Sequence, residues 1–336
     1  MEFQFTNVLI LLGVAVLTGT LMLYLLGYFV LWTPSVDSAQ NEVPDRLDSE
    51  TVKSRLEDSV RHQAVEIGER NIYEYEALQG TKEYLKKRFR EMGYQVNEQV
   101  FNVAGKEVAN LEVIVPGTDR SEESIVIGAH YDTVNGSPGA NDNGTGIAVL
   151  LELARAWQTS RPGRTIRFVA FVNEEAPYFG TEDMGSYQYA RQLSRENVDV
   201  KAMISLETVG YYSDKPGSQN YPFPFNYFYP NRGNFLAFVG NLTSHQLVKR
   251  TVKQFRGATD LPAEGAAPPS FVPGVSWSDH WSFWKFGFPA IMVTDTAPYR
   301  YPHYHRHSDH PRHVDFGKLT QVVQGMNGVV WELVNG

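Results

Sequence analysis

Apolar residues along the chain change their spacing several times, and each change marks a predicted element. The stretch SIVIGA at residues 124–129 is nearly continuous and runs straight into His130, as a buried strand would. From residue 144 the apolar positions of GTGIAVLLELARAW recur at helical spacing to about residue 158. The same reading predicts strands at 95–103, 108–115, 164–172, 201–206 and 288–294. It predicts further helices at 82–92, 182–194, 240–255 and 316–334. In the first of these Tyr84, Leu85, Phe89 and Met92 share one side, and Gly93 ends it. Strands alternating with helices imply an α/β fold, a three-layer αβα sandwich with a mixed, mainly parallel central sheet. Residues 220–230 (NYPFPFNYFYP) read as a surface excursion that serves as a lid or binding wall, and 265–274 as a loop.

The N-terminus follows another pattern. Residues 8–32 carry no charge, a run longer than the roughly 20 apolar residues that cross a bilayer. Tyr24, Tyr28 and Trp32 suit the interfacial belt near its end. Residues 1–7 lack Lys and Arg, which argues against a cleaved signal peptide. The expected organisation is therefore an N-terminal tail at 1–7, a single transmembrane anchor at 8–32, a polar tether at 33–58 and one catalytic domain at 59–336. Basic residues Arg46, Lys53 and Arg55 follow the span, yet whole domains are largely insensitive to that bias. The body is expected outside the cytoplasm.

Composition narrows the chemistry. A net charge of −8 excludes nucleic acid as a natural partner, since phosphates demand a basic surface. The chain has no cysteine, so any metal is held by His, Asp and Glu. Such residues recur just past predicted strands: His130 and Asp132, then Glu174-Glu175, Glu207, and Tyr304-His305 after Asp295. Asp142 precedes a helix. Carboxyl ends of strands are where open α/β sheets bind ligands. Taken singly, each residue has an ordinary explanation, Asp142 as a helix cap and Glu174-Glu175 as a solvated helix start. Taken as an ordered set, His130, Asp142, Glu175, Glu207 and His305 suit Zn²⁺, and five ligands fit two ions that share a carboxylate. Glu174 is then the candidate general base, and Asp132 the partner that orients the His130 ring. Neither a G-x-S-x-G elbow nor an H-E-x-x-H helix is present, which removes the serine-hydrolase and helical zincin readings.

The motifs GAHYDT at 128–133, GANDNGTG at 139–146, NEE at 173–175, SLETVGY at 205–211, SDHWSFWKFGFPA at 278–290 and YHRHSD at 304–309 form an ordered set. This set resembles the co-catalytic zinc exopeptidases that include bacterial leucyl aminopeptidases, glutamate carboxypeptidases and glutaminyl cyclases. The resemblance implies two zinc ions per chain, one on His130 and Glu207, the other on Glu175 and His305, with Asp142 bridging. It also implies Glu174 as base and Tyr304 as a donor to the developing oxyanion. Many members have Asp where Glu207 stands. The usual Thr-x-x-Asp after the last ligand is here Arg306-His307-Ser308-Asp309, which leaves His303 and His307 as alternatives to His305. The expected activity is release of N-terminal residues from peptides. The alternatives are a carboxypeptidase, a single-zinc glutaminyl cyclase, or a receptor-like ectodomain that keeps the fold without catalysis. Oligomeric state is not legible.

Overall fold

A computed structural model describes residues 2–27 and 48–336. The last part of the expected span, 28–32, and most of the expected tether, 33–47, lie outside the described residues. Helix α1, Glu2–Leu26, covers the rest of the uncharged run. Its Leu11, Leu17, Met22 and Leu23 are exposed. The hydroxyls of Thr18 and Thr20 donate to the carbonyls of Val14 and Val16, at 2.8 Å each. Among the described residues no helix is long and apolar enough to cross a membrane.

Helix α2, Ser49–Arg61, occupies the stretch read as tether up to residue 58. Its Val52, Leu56 and Val60, spaced by four, are buried against the body. Arg55 clamps the buried Glu152 through Nε to Oε1 at 2.9 Å and Nη2 to Oε2 at 2.6 Å. Only three apolar positions mark this helix, so its pattern is faint in the sequence. Helix α3, Tyr75–Glu91, follows and starts earlier than predicted.

The strands are β1 Asn97–Val103, β2 Lys106–Val115, β3 Arg120–His130, β4 Arg164–Phe171, β5 Asp199–Glu207, β6 Leu236–Val239, β7 Ala263–Ala266 and β8 Ala290–Thr294. They form an eight-stranded sheet in the order β1-β2-β4-β3-β5-β8-β6-β7. The four central strands β4-β3-β5-β8 are mutually parallel, whereas β1, β2 and β6 introduce antiparallel pairings. The mixed, mainly parallel sheet matches the expectation. Strands β6 and β7 have four residues each, too few to declare a period, and were not predicted.

Helices cover both faces. On one side Ile125, Ile127 and Ala129 of β3 pack in the larger core with α4, Gly146–Trp157, and α9, Phe316–Asn335. On the other, Val126 of β3 joins Phe171, Leu193 of α5 (Gly185–Arg195) and Phe283 of α7 (His280–Lys285). Gly128 lies on this second side, and a Cβ there would collide with the Phe171 ring. Helix α6, His245–Ala258, and the short α8, Ala297–Arg300, complete the body. Because the central strands run in parallel, their carboxyl ends meet along one edge.

Docking of α2 is open to test. Leu56→Ala should cost about 2–5 kcal/mol of unfolding free energy in urea titrations, as buried leucines do. A loss under about 0.5 kcal/mol would show that residues 49–61 are not part of the folded body.

Candidate metal centre

Strand β3 delivers His130 to this edge fully buried. Its Nδ1 faces the backbone carbonyl of Asp132 at 3.1 Å. A carbonyl only accepts, so Nδ1 carries a proton and Nε2 is left to face the carboxylates. That nitrogen lies 3.3 Å from Glu207 Oε2, 3.5 Å from Asp142 Oδ1 and 3.8 Å from Glu174 Oε2. The expected partner, the Asp132 carboxylate, is 3.6 Å from Nδ1 and bonded elsewhere. Its two oxygens accept the backbone N–H groups of Glu174 and Glu175, at 3.1 Å each. Asp132 therefore orients the ring through its main chain and fixes the turn after β4 through its side chain. Asn173 opens that turn at φ 59°, a conformation asparagine tolerates.

Asp142 sits in the loop Ala140–Thr145 between β3 and α4. Asp309 accepts the N–H groups of Asn141 at 2.9 Å and Asp142 at 3.1 Å, and itself accepts the Tyr301 hydroxyl at 2.6 Å. The flanking asparagines tie the loop to the neighbouring strands. Asn141 donates to Asp295 at 2.9 Å, and Asn143 donates to the Leu206 carbonyl at 2.8 Å. Beneath them the fully buried Arg70 donates to the carbonyls of Tyr131, Pro138 and Gly139 at 2.7–2.9 Å. Burial lowers its pKa to about 10, so it stays cationic at neutral pH. Arg70, Asn141, Asn143 and Asp309 were not singled out as site residues in the sequence. The asparagines flank Asp142 inside its motif, but nothing local marks Arg70.

So held, Asp142 presents Oδ1 to His130 and Oδ2 to His305 Nε2, the latter at 3.2 Å. Glu175 Oε2 lies 3.3 Å from the same His305 nitrogen. Two groups of potential ligands thus share Asp142: His130 with Glu207, and Glu175 with His305. His130, Glu174 and Glu175 form a third close group. His303 instead bonds Ser308 at 2.9 Å and stacks on His313. Among the described residues neither it nor His307 joins a ligand group. Glu207 is steadied by the Ser278 hydroxyl, which donates to Oε2 at 2.8 Å.

The electrostatics are those of a site short of positive charge. Burial pushes Glu174 well above the usual carboxylate range, aided by Glu207 and Glu175, although His130 opposes it. Burial and the Asp142 charge lift Glu175 to about 7. His305, the one exposed member of the site, is raised to about 10 because Asp142 and Glu175 flank it, against partial desolvation of its ring. Asp142 alone is held low, against the penalty of burial, by the two histidines. His130 Nε2, Asp142 Oδ2 and Glu175 Oε1 are buried without a hydrogen-bond partner. Unpartnered buried donor atoms of N and O type, gathered around surplus negative charge, fit zinc.

Tyr304 stacks on the His305 ring with centroids 3.8 Å apart. Together with Glu207 it lines an open cavity of about 850 Å³, a volume that includes the mouth. Tyr221, Pro222, Phe225 and Tyr229 of the aromatic stretch form part of its wall. Asp279 and His280 are buried nearby but belong to no ligand group. His280 Nε2 donates to the Val275 carbonyl at 2.8 Å, and burial lowers its pKa to about 4.

Residues 110–330 match Peptidase family M28. The uncharacterized protein YfbL of Escherichia coli K12 is 35% identical over 315 residues, covering 91% of this chain and 94% of that one. A probable leucine aminopeptidase of Arthroderma otae is 26% identical over 67% of this chain and 56% of its own length. The chain spans about half the length of such fungal relatives. Among solved structures, the zinc aminopeptidase BSAP of Bacillus subtilis matches with a TM-score of 0.67 at 17% identity, over 88% of this chain and 97% of that one. A glutaminyl cyclase of Fimbriiglobus ruber matches with a TM-score of 0.62 at 20% identity, over 89% and 100%. Identities this low show a shared fold.

Burial of His280 sets a pH dependence. Its folded pKa lies below the unfolded value of about 6.5, so the unfolded chain takes up the proton first as pH falls. Stability attributable to His280 is complete above about pH 6.5 and is lost toward pH 4, by about 2 kcal/mol at pH 5. Urea unfolding at pH 7.5 and 5 should show His280→Gln losing less stability on acidification than wild type, by about that amount. Equal losses would remove His280 as a contributor.

Proposed function

The chain belongs to peptidase family M28 and is a zinc metallopeptidase, and from that premise we propose that it is a two-zinc aminopeptidase. One observation carries the reading: the two oxygens of Asp142 face two different histidines, each with its own carboxylate companion. His130 and Glu207 would hold one ion, Glu175 and His305 the other, and Asp142 both. Zinc bound there supplies Lewis acidity toward a peptide carbonyl and makes water a better acid.

The chain's own groups do the rest. Glu174 is close to His130 and needed in neither of the two shared groups, and burial strengthens its hold on a proton. It takes the proton from the attacking water as the C–O bond forms, and gives it to the departing nitrogen as the C–N bond breaks. The Tyr304 hydroxyl donates to the carbonyl oxygen as negative charge grows there. Asp132 keeps Glu174 and Glu175 in place through their backbone N–H groups. The cavity beside Glu207 and Tyr304 receives the substrate side chain. Among the described residues no Lys, Arg or His lines it, whereas a carboxypeptidase needs a cation for the terminal carboxylate. The acidic surroundings suit a free α-ammonium group, and the named activity of the fungal relatives supports the same end of the peptide. A single-zinc glutaminyl cyclase would leave one of the two histidine groups without a role. A non-catalytic ectodomain would leave Glu174 without one.

The second part of the proposal is attachment to a membrane through residues 8–32, with the body outside the cytoplasm. Its supports are the uncharged run, the exposed apolar side chains of α1 and the threonine hydroxyls satisfied within the helix.

Glu174→Gln should reduce kcat on peptide amides by about 10²–10⁴-fold, the usual worth of a general base, while metal analysis finds zinc content unchanged. Near-normal turnover would take the base role from Glu174. Mass spectrometry of a digested peptide library should show residues lost from the N-terminus only.

A further inference from the structure

Strand register connects the metal centre to the far side of the cavity. Glu207 pairs with Thr294, Thr294 with Ala237, and Ala237 with Glu264. These four residues form one row across β5, β8, β6 and β7, with side chains on the same face of the sheet. Adjacent strands lie about 4.8 Å apart, so three steps put the two glutamates about 14 Å apart. The row thus has a carboxylate at each end and two short side chains between. Thr294 and Ala237 leave a low floor, flanked by Met292, Val239 and Ala266 from the neighbouring pairs. Above it stand Tyr221, Phe225, Tyr229 and Trp277. All of these residues line the same cavity, which opens onto Glu207 and Tyr304.

Among the described residues, Glu207 and Glu264 are the charged ones that line that cavity. Arg256 approaches Glu264 with Nη2 3.5 Å from Oε2, but it does not line the cavity and also donates to the Ala263 carbonyl at 2.9 Å. A carboxylate has two oxygens and accepts from more than one donor. Burial raises the proton affinity of Glu264 although Arg256 opposes it, and a cation brought by the substrate would relieve what remains. An apolar trough with aromatic faces and a carboxylate at its end matches a side chain with a hydrocarbon stem and a positive tip.

We propose that Glu264 determines specificity by binding the cationic end of a lysine or arginine at the substrate's N-terminus, with the stem lying over Thr294 and Ala237. This rests on the aminopeptidase reading and deepens it. A branched or short apolar residue fills the near part of the trough and does not reach Glu264.

The test compares 4-nitroanilides of lysine, arginine, norleucine and phenylalanine with the zinc-loaded enzyme and with Glu264→Gln. Norleucine shares the lysine stem and lacks only the ammonium. Wild type should favour lysine over norleucine in kcat/KM, and Glu264→Gln should lower that ratio about 10- to 100-fold, the worth of one charged hydrogen bond. A ratio internal to each protein is insensitive to partial misfolding. Norleucine or phenylalanine preferred over lysine by wild type, or a ratio unchanged in Glu264→Gln, would overturn the proposal and leave the aminopeptidase reading standing. No cleavage of any of the four would overturn both.

Discussion

Everything at the active edge depends on one carboxylate facing two ways. Asp142 lies with one oxygen toward His130 and the other toward His305, at 3.5 and 3.2 Å. Neither histidine is brought to the other by the sheet, because His130 ends β3 and His305 sits in a loop beyond β8. The bridging residue is what makes them one site. It has no freedom to turn away, since Asp309 holds its N–H and the flanking asparagines tie its loop to the ends of neighbouring strands. Arg70 braces the loop from below with a charge that also offsets the acidic cluster.

The cost of this arrangement is electrostatic. Asp142, Glu174, Glu175 and Glu207 are buried close together with His130, and His305 closes the cluster from its exposed side. Burial disfavours each charge, and neighbouring carboxylates add to the penalty. The protein meets it in part with the Ser278 hydroxyl on Glu207 and with histidines drawn toward protonation. Divalent cations would meet it more fully. Proton affinity and metal affinity compete for the same atoms here.

Much of the site was legible because a parallel sheet turns sequence order into spatial convergence. His130, Glu174-Glu175 and Glu207 each follow an apolar run, and adjacent parallel strands bring such positions together. His305 was legible only through a motif, since no strand delivers it. The supporting residues were less visible. Arg70 works through carbonyl groups, which every residue possesses, so no sequence pattern marks its partners. Asp132 was recognised, but its carboxylate serves the next strand's turn and its carbonyl serves the ring, a division that only geometry reveals. Helix α2 is faint in the sequence because three apolar residues at a spacing of four resemble a tether, and β6 and β7 because four residues make no period. The row from Glu207 to Glu264 depends on those two short strands, which is why the far end of the cavity could not be read from sequence.

The central claim is that Asp142 serves two metal ions at once. Zinc per chain, measured by mass spectrometry of the native protein and of Asp142→Asn, tests it most directly. The account predicts close to two ions for the wild type and a loss from both positions in the variant. One ion in the wild type, or a variant that keeps one ion at full affinity, would contradict a shared bridge.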